Sequence, residues 1–488
     1  MRKTFYLRVL PILLLFVAFW IAGFGTTVLY TYMQDTASKY DSKGKSVSDF
    51  CRDILQALNN ELKSQNIRIE LKSQTPKSIT EIKNALESKG KDRIDVFLGL
   101  GYLPEDERIL NYIKIPLYGS RGIFVIRAGL KEKIFEKNIV KVGSIAGTAP
   151  AQYVPNIARK QEVVLYRNVD ELLEALDKGQ IDAAFALGLK LGCVLNGSKG
   201  KYQALDIVSE KFYNYIVFPK DVSSQIVLKV EIALRNVRKK NVIENLIKKY
   251  DFERYVIPGN VVEILLVDWK PYEWYDQTKK EWVGFDVDVV RKVLENMGFK
   301  ASFVTFPWAR CLEYMKIRAY DATMSVVFTN ERSEFLIYTE EPLSSGNAAL
   351  FKLKSTRLDL SRLENIPPST RCGYCEGYGY PQWFFDAKFQ KIPVTTDEVG
   401  FKLLRDKKID IFITNIFVGK FLAKEMNLDV EWSPTFSPPQ MYYLAFAKTY
   451  HGELLAKDFS RELKRFKTTP EYAKILVKYG LSYDELWK

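Results

Sequence analysis

The sequence predicts an α/β protein built from two tandem domains of one kind. Three observations carry this reading. The chain has 488 residues, too many for one typical core. β-branched runs alternate with stretches whose apolar residues follow helical spacing. Segments of the first half recur in the same order in the second.

The recurrences begin with VLYTYMQD, from Val28, beside ILLVDWKP, from Ile264. Next, SDFCRDILQALNNELKSQNIRIEL matches GFDVDVVRKVLENMGFKASFV, and PEDERILNYIKIPLYG around Arg108 matches FTNERSEFLIYTEEPLSSG around Arg332. VKVGSIAGTA then pairs with TRCGYCEGYG, and VDELLEALDKGQIDAAFAL with TDEVGFKLLRDKKIDIFIT. Chance similarity would not preserve order, so the expected domains are residues 26–257 and 258–488. In the second copy EILLV and ASFVTF read as strands, VDVVRKVLENM and WARCLEYMKI as helices, the latter with Pro307 near its first turn. Strands interleaved with helices predict lobes with mainly parallel sheets.

Ahead of the first copy, Arg2, Lys3 and Arg8 precede an apolar run from Val9 to Gly25. Residues 1–25 read as a cleavable signal peptide; the rival reading is an uncleaved anchor reaching about residue 32. Cleavage is favoured, because an anchor through TTVLYTY would take away the strand that the second copy has at VVEILLV. Either way the chain is expected to be exported, to a periplasm or cell envelope, touching membrane only through this segment.

The 47% hydrophobic and 27% charged content excludes a large disordered or fibrous part. A net charge of +13 suits anionic small ligands, but its bases are interspersed with acids, so nucleic acid is not an expected partner. Five cysteines do not make a disulfide scaffold. Cys372 and Cys375 in RCGYCEG leave open a local disulfide, a redox pair, half a zinc site, or a structural or incidental pair. With His451 the only histidine, no metal or cofactor is expected.

The order PYEW, GFD-helix, PWAR-helix, YDATMS, ERSEF, GYCEGYG and KIDIFIT resembles the extracellular solute-binding proteins of family 3, the polar amino acid binders of ABC transporters. The resemblance covers residues 260–488, and 27–255 more weakly. It implies two type II periplasmic-binding-protein-like domains, each a two-lobed clamshell holding a ligand in its cleft. In the second copy lobe one would be about Val261 to Leu350 plus the C-terminal helices, and lobe two about Ser355 to Val430.

The resemblance also implies a site. Arg332 would hold a ligand carboxylate, for which a guanidinium fork offers two parallel hydrogen bonds. Ser325 and Val327, at the end of DATMSVV, would line the cleft. Tyr272, Trp274 and Trp308 would form an aromatic wall. Gly377 and Tyr378 would open the second lobe's helix, whose N-terminus suits an anion. Asn415 departs from the family, which usually has an aspartate for the ligand's ammonium. The first copy keeps Arg108, Gly147 and Thr148 but has Leu187 in place of Asn415 and DTASKY in place of PYEW. It reads as degenerate, divergent in ligand, or built for protein contact.

The expected function is capture of a small polar, carboxylate-bearing, amino-acid-like solute in the second domain, for an ABC permease or a membrane sensor. One alternative is an envelope-anchored interaction or sensory protein with degenerate clefts. Another is a dehydratase-like enzyme, for which Glu273, Asp286 and Glu313 are the candidate acids or bases.

Overall fold

The computed structural model describes residues 25–40, 46–131, 134 and 136–487. The N-terminal apolar run lies outside them, apart from Gly25. Among the described residues no helix is long and apolar enough to cross a membrane. The chain forms two compact units. Of the described residues, one holds those up to Ser120 with Phe124–Leu205 and Asn214–Pro258; the other holds Arg121–Ile123, Asp206–Tyr213 and those from Gly259 on.

In the second unit, lobe one is a sheet in which Val261–Leu266 lies between Lys300–Thr305 and Ala322–Val327, all parallel. VVEILL is apolar almost throughout because both faces of this strand are covered. Ile264 and Leu266 meet Phe285, Val289 and Val293 on one face, while Leu265 meets Cys311 and Met315 on the other. The two helices responsible, Phe285–Asn296 and Trp308–Lys316, are the two that the apolar spacing predicts. Pro307 caps the second of these and precedes its first turn.

Lobe two repeats this plan with Arg371–Cys375 parallel to both Gln390–Val394 and Ile411–Asn415. The sheets are less parallel than expected. Ala348–Leu353 joins lobe two antiparallel to Ile411–Asn415, and Gln440–Ala447 joins lobe one antiparallel to Ala322–Val327. These are the two strands by which the chain passes between lobes, and a strand returning from the other lobe enters against the local direction. The first crossing comes earlier than Leu350: Ser344–Gly346 still pairs in lobe one, whereas Ala348 is already paired in lobe two.

Strand geometry also answers the question of RCGYCEG. Cys372 and Cys375 are three residues apart on one strand, so their side chains leave opposite faces. They are buried in different clusters, Cys372 with Phe384 and Ile411, Cys375 with Phe401 and Phe412, and both are free thiols.

Helix Ile416–Glu425 shows how closely the second lobe is packed. A Cβ on Gly419 would lie 2.2 Å from Cζ of Phe351, which is fully buried and cannot swing away. Gly419→Ala should gain roughly 1 kcal/mol of helix propensity and lose more to overpacking. A net destabilisation of about 1–2 kcal/mol is expected in denaturant unfolding; a stabilised variant would contradict this packing.

The first unit follows the same two-lobed plan. Thr27–Thr31 pairs in parallel with Ile67–Leu71, and Asn214–Val217 runs antiparallel to Phe97–Gly101. In its second lobe Val140–Ile145 lies between Gln161–Tyr166 and Ala183–Leu187, all parallel.

Candidate functional site

The cleft of the second unit forms where the strands of both lobes end. Val267 and Trp269 follow the end of Val261–Leu266, Ser325 to Val327 end the adjacent strand, and Thr414 and Asn415 end the central strand of lobe two. Together with Glu273, Trp308, Arg332, Tyr378, Tyr380 and Tyr442 they line one shared space, open to solvent.

Arg332 sits in the short turn Asn330–Ser333, whose N-cap Thr329 accepts a hydrogen bond from the Arg332 amide. Its side chain turns inward and is buried. The guanidinium donates to the main-chain oxygens of Val327 at 3.0 Å and Gly377 at 2.8 Å, and lies 5.5 Å from the Trp308 ring centroid. Among the described residues no carboxylate forms an ion pair with it. Burial draws its pKa below the ordinary value, but an arginine stays charged. The indole of Trp308 donates to the same Gly377 oxygen at 2.9 Å, so two lobe-one side chains meet one lobe-two carbonyl.

Opposite lies a compact group of acids. The Ser325 hydroxyl is 2.7 Å from Glu273 Oε2 and 2.8 Å from Asp286 Oδ2. Ser344 also donates to Asp286 Oδ2, at 2.9 Å, and Val267 N donates to Glu273 Oε1. A hydroxyl has one proton to give, so two ionised carboxylates cannot both be satisfied by Ser325. Ser344 and Val267 N give each carboxylate a donor of its own, yet two buried carboxylates that share one hydroxyl favour a proton on one of them. Burial pushes Glu273 well above the usual carboxylate range and Asp286 up to about 7, so Glu273 is the natural holder. Ser325 occupies a left-handed conformation, φ 54°, which turns its hydroxyl toward these acids at some backbone cost.

Asn415 is fully committed. Its Oδ1 accepts from the amides of Phe417 and Val418, capping the following helix, and its Nδ2 donates to Tyr442 at 2.9 Å and Tyr272 at 3.3 Å. Its amide oxygen is therefore used by the backbone. Tyr272 is fully buried and donates to Ser345 O; it stacks on Trp269 at 4.7 Å.

Of the residues singled out in the sequence, Arg332, Ser325, Val327, Trp308, Tyr378 and Asn415 line this space. Tyr272 backs the wall without lining it, and Trp269 takes the place expected of it. Trp274 points elsewhere, packing between Phe421 and Tyr479. Gly377 contributes its carbonyl rather than a helix N-terminus: the helix begins only at Gln382, spans five residues, and has Pro381 as its cap. Tyr378 instead donates to buried Asp397 at 3.2 Å. Trp269, Tyr380, Gln440 and Tyr442 were not anticipated. Trp269 could have been found from its position just past a strand end; Tyr442 and Gln440 are brought in only by the returning strand.

The first-unit residues do not assemble in the same way. Arg108 is exposed in the turn Pro104–Arg108, where it is Asp106 that is buried, ion-paired to Lys83 at 2.7 Å. Thr148 donates to Ile145 O, and Gly147 takes a positive φ of 74° in the turn before it. None of the three lines the first unit's cavity, described below.

A clamshell with strand ends converging on an aromatic cleft defines a binding-protein architecture. Residues 264–482 match the family model of the bacterial extracellular solute-binding proteins, family 3. Among curated proteins, an arginine-binding periplasmic protein of Mannheimia haemolytica is 22% identical over 232 residues, 46% of this chain and 93% of that protein. Similar solved structures include a histidine kinase sensor domain with similarity to periplasmic binding proteins, 20% identical with a TM-score of 0.41, covering 45% of this chain and 95% of that one. A mutant of the arginine-binding protein of T. maritima is 16% identical, also with a TM-score of 0.41 and the same coverage.

Proposed function

We propose that the chain is an exported tandem solute-binding protein, with domains at 26–257 and 258–488, and that its second domain captures a small amino-acid-like solute. The observation that carries this is Arg332, a buried cation in an aromatic cleft that donates to the main-chain oxygens of Val327 and Gly377 and, among the described residues, has no carboxylate as ion-pair partner. A carboxylate is the group that a guanidinium in this setting binds best. The ligand's ammonium faces Glu273, not Asn415, since Asn415 has no acceptor left. The role is binding and delivery to a permease or sensor rather than catalysis.

A thermal-shift screen of the full chain against amino acids and small carboxylates tests this reading. A true ligand at 100 times its Kd should stabilise by about 2.7 kcal/mol. Burial favours the protonated form of Glu273, so an ammonium received there should displace a proton, and calorimetry in buffers of different ionisation enthalpy should show its release. A screen in which no amino acid or carboxylate shifts the transition would overturn the proposal and favour an interaction protein.

A further inference from the structure

The first unit has a pocket of its own, at the place corresponding to the cleft of the second. It lies between the end of the strand Thr27–Thr31 and the start of the helix Gly188–Gly197. Its walls are largely apolar, with Leu55, Tyr118 and Leu187 among them. Two groups of opposite charge line it.

Lys190 is 6% exposed, and its ammonium has no hydrogen-bond partner. Oδ2 of Asp35 is likewise buried without a partner. Each feels the other's charge, yet among the described residues no ion pair joins them. Burial drives Lys190 down from its ordinary pKa and Asp35 up, the direction expected of charges stripped of water. Buried charges are ordinarily paired. A lysine and an aspartate that face one cavity without closing on each other form two halves of a receptor for a dipolar molecule.

We propose that the first unit carries a separate solute site in which Lys190 receives a carboxylate and Asp35 the ammonium of a small zwitterion. This site is independent of Arg332. It uses none of Arg108, Gly147 or Thr148.

The test is calorimetric titration of the full chain and its variants with glycine, L-alanine, L-serine and L-proline. In the Arg332→Ala chain, at least one of these is expected to bind, and adding Lys190→Met should weaken that event at least 100-fold. Methionine keeps the lysine stem's length without the buried ammonium, so the Lys190→Met chain should melt no lower than its parent. As a control on folding, Asp35→Asn should weaken the amino acid at least tenfold while leaving propionate, which has no ammonium, unchanged. The inference is overturned if none of the four probes binds the Arg332→Ala chain. It is overturned equally if Lys190→Met leaves binding intact, or if Asp35→Asn weakens alanine and propionate alike or neither. Should Arg332 play no part in binding, the Arg332→Ala chain will titrate like its parent while Lys190→Met still removes one event, which separates the two sites.

Discussion

Arg332→Ala is expected to weaken the binding of an amino-acid-like ligand by about 3 kcal/mol, roughly two orders of magnitude in Kd. The loss has two sources. A ligand carboxylate would lose a charge-assisted fork and remain buried among Trp308, Tyr378 and Tyr380. The variant also removes one of the two links from lobe one to the Gly377 carbonyl, leaving that of Trp308, so closure onto the ligand is less favourable. Arg332→Lys should recover only part of the affinity, because an ammonium supplies charge without the planar fork. Full recovery by lysine would mean that the site needs charge alone.

The second large effect is expected in the pH dependence of stability. In an unfolded chain Glu273 and Asp286 would titrate near 4. Folded, burial holds Asp286 up to about 7 and Glu273 well above its ordinary range. Between these limits the folded protein binds more protons than the unfolded one, so this contribution is fully present below about pH 4 and is lost as pH rises toward 7. For Asp286 alone the loss is on the order of 4 kcal/mol. Asp286→Asn keeps an acceptor for Ser325 and Ser344 but cannot ionise. The variant should therefore gain on its parent as pH goes from 5 to 8, measured by denaturant unfolding of the second domain's transition. A difference that is flat, or that shrinks with pH, would mean that these acids are ionised in the folded state.

The strands and helices of the second unit were legible because their periodicities are strong and their ends are punctuated. The run VVEILL needed both faces covered, and FDVDVVRKVLEN carries a clear apolar stripe. The mixed character of the sheets was not legible, since no local pattern says that Ala348–Leu353 and Gln440–Ala447 return from another lobe.

The site was partly legible. Arg332, Ser325 and Trp308 stand near strand ends, where a parallel sheet gathers its ligand. The choice between Trp269 and Trp274 was not, because both follow the same strand and only the turn between them decides which faces inward. Asn415 looked like a neutral substitute for a charged ligand group. Its commitment to a helix cap and two tyrosines appears only in three dimensions. In the first unit, Arg108 kept its sequence context and lost its inward direction, whereas Lys190 lay in IDAAFALGLK without any motif to mark it.

The most direct measurement is a thermodynamic cycle on Arg332 and the ligand's carboxylate. The tightest-binding amino acid and its carboxamide are titrated calorimetrically into the parent chain and into Arg332→Ala. If Arg332 holds the carboxylate, the parent should prefer the acid over the amide by about 100-fold, and the variant should distinguish them by only a few fold. If the variant retains the parent's preference, the carboxylate is held elsewhere and the account of this cleft is wrong.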